Sequence, residues 1–238
     1  MAIHGLTGED RFEATGQAVL DRFGVTLTTG SDFEEYRDLL AEGRPDHIIG
    51  APFDPERHNL NETNGLWVVG RDSNGVIMHT QALRTLDLKG KSLASYLRHG
   101  FRKFPPSGLD LDLERSRYKP GPGARNIFGQ TVYHGEVWMG GEPGQFRGSG
   151  VSSILGRYAF LTAIRKWAPD YMIGFMPKPV ANKGFVSRQG YMHVEPYALR
   201  WYMKGNPKPL EGMMVYMSLE DMRFVLDMPH SEIEDLAA

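Results

Sequence analysis

The chain has 238 residues, 41% hydrophobic and 24% charged, which fits a globular protein long enough for one large domain or a domain with an added lobe. Its formal net charge of −2 argues against nucleic acid as the main partner, because gripping a phosphate backbone takes a basic face. It contains no cysteine, which excludes disulfides, thiolate metal sites and cysteine nucleophiles; no apolar run has the length of a signal core or a membrane span, so a cytoplasmic protein is expected.

In chain order, residues 9–23 put Phe12, Val19, Leu20 and Phe23 on one helical face, predicting an N-terminal helix. Residues 25–29 are short and β-branched, a first strand. Ser31 opens S-D-F-E, a capping box with Glu34, and a helix to about residue 40 or 42. Residues 43–64 carry Pro45, Gly50, Pro52 and Pro55 among charges and read as a loop able to fold over a cleft. Strands at 66–70 and 76–86 meet across Asp72-Ser73-Asn74-Gly75, a hairpin signal. A helix over 91–104 has Ser92 as its cap. The proline- and glycine-rich stretch 105–130 is too long for an idle connection and reads as a substrate lid or an interaction loop.

Residues 132–139 form a strand rich in Val, Tyr and Trp, followed by a glycine-rich turn ending at Gly148 and Gly150. Val151, Ile154, Leu155, Tyr158 and Leu161 then repeat at the spacing of an amphipathic helix, which Pro169 ends. A strand at 171–176, a rigid Pro177-Lys178-Pro179 exit and a short helix over 180–188 lead to the turn Gln189-Gly190-Tyr191. Strands at 197–203 and 213–218 and a helix over 219–226 complete the chain, with Glu220 and Asp221 where the helix dipole favours acid.

Strand, glycine turn and helix start together make an anion trap. The first N–H groups of a helix lack intrahelical partners, and glycines let a phosphate approach the backbone. The turn lacks the Gly-Lys-Ser/Thr ending of a nucleoside-triphosphate loop. A dinucleotide fingerprint also fails: Ser153 stands where its third glycine belongs, and Asp170 precedes the next strand instead of following it.

Gln145-Phe146-Arg147-Gly148-Ser149-Gly150 resembles the Q/R-x-x-G-x-G/A loop of the GNAT superfamily of acyl-CoA-dependent N-acyltransferases. The resemblance extends over roughly residues 66–217, with the strand, helix, strand and Gln189-Gly190-Tyr191 in the family's order. It implies an α/β fold with a mixed, mostly antiparallel central sheet flanked by helices. It also implies a single domain over 1–238, in which 1–24 add a helical extension and 88–130 an insertion before the central strand. The implied activity moves an acyl group from acetyl-CoA or another acyl-CoA, without a metal, to an amine on a small molecule or peptide. Nucleic acid and membrane are not expected partners, and a homodimer is compatible.

By the same resemblance, Gln145, Phe146, Arg147, Gly148, Ser149, Gly150 and Val151 hold the coenzyme A pyrophosphate. The backbone at Val137, Trp138 and Met139 binds its pantetheine arm, and Asn182 adds a contact. His134 and Glu136 alternate along the strand and are expected on one face; Glu136 is the candidate base, as the family often has a carboxylate here, and His134 the second candidate. The general acid departs from the family. Anchoring its N-x-x-A-x-x-x-Y-x-x-x-G-F pattern on Gly190-Tyr191 puts Pro179 at the asparagine and Val186 at the tyrosine, leaving Tyr191 or Ser187 as substitutes. Two other readings fit the pattern: a non-catalytic acyl-CoA-binding module, and an acyl-homoserine-lactone-synthase-like enzyme using an acyl-carrier protein and S-adenosylmethionine.

Overall fold

The computed structural model describes residues 7–142, 145, 146 and 148–229. Among them, eight strands form one sheet: β1 (Thr26–Gly30), β2 (Gly65–Arg71), β3 (Ile77–Leu86), β4 (Leu111–Tyr118), β5 (Thr131–Met139), β6 (Tyr171–Pro177), β7 (His193–Met203) and β8 (Leu210–Ser218). Their order across the sheet is β1-β2-β3-β5-β6-β8-β7-β4. Every neighbouring pair is antiparallel except β5 and β6, which are parallel. The expected mixed, mostly antiparallel α/β sheet is therefore observed, and its one parallel pair is the pair bridged by the helix after the glycine turn.

Among the described residues, eight α-helical segments accompany the sheet: α1 (Gly8–Arg22), α2 (Phe33–Gly43), α3 (Leu93–Gly100), α4 (Pro122–Asn126), α5 (Val151–Trp167), α6 (Lys178–Val180), α7 (Val186–Arg188) and α8 (Leu219–Asp227). Strand alternation divides their packing. In β5, Val132 faces a core shared with α1, α5 and α8, whereas Tyr133 faces one shared with α2, α3 and α4. Met172 and Ile173 split the same way in β6. No described helix is long and apolar enough to cross a membrane.

Several expectations need correction. Helix α2 starts at Phe33 with Asp32 as its cap, accepting from the Glu34 and Glu35 N–H groups at 2.9 and 3.3 Å; Ser31 lies one residue too early. Helix α5 is buried nearly all round, not on one stripe, because the sheet covers one side and α1 and α8 the other. The stretch 105–130 is no structureless lid, since it holds β4 and α4. Strand β4 is an edge strand whose Glu114, Arg115 and Arg117 face solvent, so its charges masked its pairing with β7. The Glu195 carboxylate of β7 ties down the same stretch, accepting from the N–H groups of Gly121 at 3.1 Å, Ala124 at 3.3 Å and Gly123. The helix expected over 180–188 is broken, because Gly184 at φ +78° interrupts it between α6 and α7.

Candidate active site

The site begins where two strands part. β5 and β6 pair from Thr131–Tyr171 to His134–Gly174 and no further. Beyond that point β5 continues along β3 to Met139, and β6 along β8 to Pro177. The wedge between them leaves the β6-facing amides after Glu136 with no strand partner. A bulge sharpens it: Ala82 pairs with Gly135 and Thr80 with Trp138, so Glu136 and Val137 together oppose Gln81. Glu136 sits at φ +55°, a left-handed conformation that costs a non-glycine residue roughly 1–3 kcal/mol. Its backbone is pinned there by the Thr80 hydroxyl, which donates to the Glu136 carbonyl at 3.0 Å.

That bulge overturns the same-face expectation. The left-handed turn swings the Glu136 side chain to the face of Tyr133 and Phe53, while His134 points to the opposite face, toward Tyr191. The Glu136 carboxylate, 6% exposed, is met by the loop after α2. It accepts from the Gly50 N–H at 2.8 Å and His47 Nε2 at 2.6 Å, and Arg44 Nη1 lies at 3.5 Å. Burial lowers the Arg44 pKa, an effect the adjacent Glu136 charge opposes. Sequence reasoning missed His47. Its only local signal is its place in a loop expected to fold over a cleft. With Nε2 donating to the carboxylate, Nδ1 is left as an acceptor; it has no hydrogen bond among the described residues, and the ring lines the adjacent cavity.

On the other face, a chain of hydrogen bonds starts at helix α5. Gln81 Nε2 donates to the Leu155 carbonyl at 2.9 Å, which directs Gln81 Oε1 at His134 Nε2, 3.1 Å away. His134 therefore carries its proton on Nε2, and Nδ1 accepts from the Tyr191 hydroxyl at 2.9 Å. Burial, with His79 nearby, brings the His134 pKa down to about 3, and burial raises that of Tyr191, so both are neutral at physiological pH. The Tyr191 hydroxyl lies beside Gly174, where β5 and β6 last pair.

The glycine turn flanks the wedge. Gly148 and Gly150 have φ of +70° and +73°, and a side chain at Gly148 would meet nothing within 4 Å. Among the described residues the Ser152 N–H has no hydrogen-bond partner, while that of Val151 meets Ser149 Oγ at 3.3 Å. Phe146 packs edge-on against Phe23, so the N-terminal helix braces the turn, and Gln145 closes it by accepting from the Glu142 N–H at 3.0 Å. Arg147 lies outside the described residues. Val137, Trp138 and Met139 lie along the open wedge, with the Trp138 carbonyl bonded by His79 Nδ1 at 2.8 Å. Asn182 is exposed within the helical turn Ala181–Phe185, and its side chain makes no hydrogen bond to the other described residues.

Beyond the wedge opens a cavity of about 740 Å³, lined by Glu136, His47 and Phe53 and also by His134 and Tyr191. A turn that can bind an anion, a slot with unpaired strand amides and a cavity open to solvent on one side thus lie together at the wedge. No protein-family model matches this sequence, and no curated protein matches it. The solved structures that resemble it are N-acetyltransferases. An N-acetyltransferase of Staphylococcus aureus aligns with 82% of this chain and 98% of its own at 11% identity and a TM-score of 0.44. A chimera of the Vibrio cholerae spermidine N-acetyltransferase SpeG with hSSAT aligns over 84% and 98%, at 9% identity and 0.47. Arabidopsis thaliana NAA60, in complex with acetyl-CoA, aligns over 82% and 99%, at 9% identity and 0.45. At this level the likeness concerns the course of the chain and says nothing of the chemistry.

Proposed function

We propose that the protein is an acyl-CoA-dependent N-acyltransferase. The observation that carries this reading is the parting of β5 from β6 after His134–Gly174, with the glycine turn on one side and the Glu136–His47 cavity on the other. The residues present fit the coenzyme. The turn from Gly148 to Ser152 would hold its pyrophosphate, and the unpaired edge from Val137 to Met139 its pantetheine amides. Bound there, it supplies an acyl group activated as a thioester.

The chain's own groups do the rest. Glu136 holds the His47 ring by Nε2, which leaves Nδ1, on a ring that lines the cavity, to take a proton from an incoming amine. Glu136 thus orients the base; it is not the base itself, since its oxygens are already occupied by Gly50, His47 and Arg44. Tyr191, kept protonated by burial, donates to His134 Nδ1 in the free protein and would turn that O–H to a departing thiolate at the mouth of the wedge. This answers the missing family tyrosine at Val186 with a different residue. The test is turnover: acetyl-CoA and longer acyl-CoAs with a panel of amines, following free thiol and the mass of the acylated amine. Stoichiometric thiol and amide support the reading. Coenzyme binding without thiol release would make the protein a binding module instead.

A further inference from the structure

The cavity behind the wedge has an unusual charge inventory for a site that must receive an amine. Two carboxylates line it, and each already has a cation beside it, Glu136 also meeting the His47 ring N–H. Glu136 has Arg44 and His47. Glu211 has Lys178 Nζ at 2.6 Å and Arg200 Nε at 3.9 Å. Neither carboxylate is left over for an ammonium group. Much of the rest of the wall is apolar and aromatic, including Phe53, Phe104, Tyr133, Phe175 and Trp201, with Ser107 and Gln189 among its polar members.

The rings do not substitute for a carboxylate. Phe104 meets Tyr133 at 4.9 Å and Phe175 at 6.0 Å, both edge-to-face at 68°, and Phe53 stacks on Tyr133 at 5.5 Å. Each ring is thus packed against another, which leaves the cluster only part of its π-surface to offer a cation. An ammonium ion entering here would shed its water, meet no unpaired negative charge and approach the Arg44 guanidinium. A neutral flat ring would lose little and gain apolar contact.

We infer that the acceptor is a weakly basic amine carried on an aromatic body, and that polyamines and lysine side chains are excluded. The inference rests on the acyl-transfer reading and names its substrate class. An arylamine arrives neutral at physiological pH, its ring against the cavity side of the Phe104, Tyr133 and Phe175 cluster and its nitrogen toward His47. In the transfer, the C–N bond forms as the thioester C–S bond breaks. The amine proton leaves to His47 Nδ1, the sulfur takes the Tyr191 proton, and the His47 proton returns to Tyr191 through water, so both side chains are restored. No other reactant is needed.

The experiment uses the wild-type chain. Calorimetry first measures acetyl-CoA affinity; if acetyl-CoA does not bind, the acyl-transfer reading falls, and this inference with it. If it binds, thiol release is compared for 4-methylaniline, benzylamine and spermidine at pH 7.5. The expected order of kcat/KM puts 4-methylaniline at least 100-fold above spermidine, with benzylamine between and rising with pH as its neutral fraction grows. Phe104→Ala should raise KM for 4-methylaniline about tenfold while leaving acetyl-CoA affinity unchanged; circular dichroism checks its fold, and the wild-type ranking stands without it. Spermidine used as well as 4-methylaniline would overturn the inference while leaving the enzyme reading intact. So would a chain that binds acetyl-CoA yet acylates no aromatic amine.

Discussion

Replacing Glu136 by Gln separates orienting a base from being one. In the native site Glu136 Oε1 accepts from the Gly50 N–H at 2.8 Å, and Oε2 faces His47 Nε2 at 2.6 Å. Glutamine has one oxygen, which the Gly50 N–H claims, so its NH₂ must face His47. Two N–H groups cannot oppose each other at that distance, and His47 answers by moving its proton from Nε2 to Nδ1. The nitrogen facing the cavity then donates where it has to accept. General-base catalysis contributes about 10²–10⁴-fold, so kcat should fall by that factor, equivalent to roughly 3–5 kcal/mol. Acyl-CoA affinity should stay within about twofold, since Glu136 lies across the wedge from the glycine turn; that margin is an order-of-magnitude expectation for an untouched binding surface. Thiol-release kinetics measure the loss, and ring ¹⁵N shifts of His47 report the tautomer. His47→Gln should lose as much, and the double variant no more, because the two act as a unit. If Glu136→Gln keeps kcat but loses affinity, or His47 keeps its proton on Nε2, the orienting role is refuted.

Three further outcomes follow from the geometry. Gly148→Ala meets open space but must hold φ +70°, so it should cost only about 1 kcal/mol of stability while weakening acetyl-CoA binding at least tenfold by calorimetry; a variant that binds normally would move the pyrophosphate elsewhere. His134 and His79 are buried and neutral, near pKa 3 and 4 against about 6.5 unfolded, so the unfolded chain binds the extra protons. The stability they contribute is complete above about pH 6.5 and is lost as pH falls toward 4, by roughly 2 kcal/mol each at pH 5; urea midpoints that stay flat from pH 7 to 5 would contradict this. Glu195→Gln removes the charge from three hydrogen bonds that hold α4 and should lower stability by about 2 kcal/mol in urea, with unchanged midpoints refuting the anchoring role.

What the sequence made readable is what local pattern encodes. The Asp72–Gly75 hairpin, the strand–turn–helix around Gly148 and Gly150, and the sheet class all depend on neighbours in the chain. Three features were hidden because distant contacts decide them. Strand β4 hides behind solvent-facing charges on an edge that only β7 completes. The side to which Glu136 points is set by a bulge against β3, which no alternation rule foresees. His47 and Glu136 are 89 residues apart, and His134 and Tyr191 57 apart, so neither pair is visible as a motif. The family pattern even misdirects here, pointing at Val186 while the buried hydroxyl beside the wedge belongs to Tyr191.

The central claim is that the wedge between β5 and β6 is the coenzyme slot, and amide hydrogen exchange with and without acetyl-CoA tests it most directly. The amides of Val137 and Met139, which face away from β3, and that of Ser152 at the glycine turn should exchange readily in the free protein and become protected together on binding, while β1 and β4 at the sheet edges stay unchanged. Protection appearing elsewhere, with both of these stretches unaltered, would contradict the account.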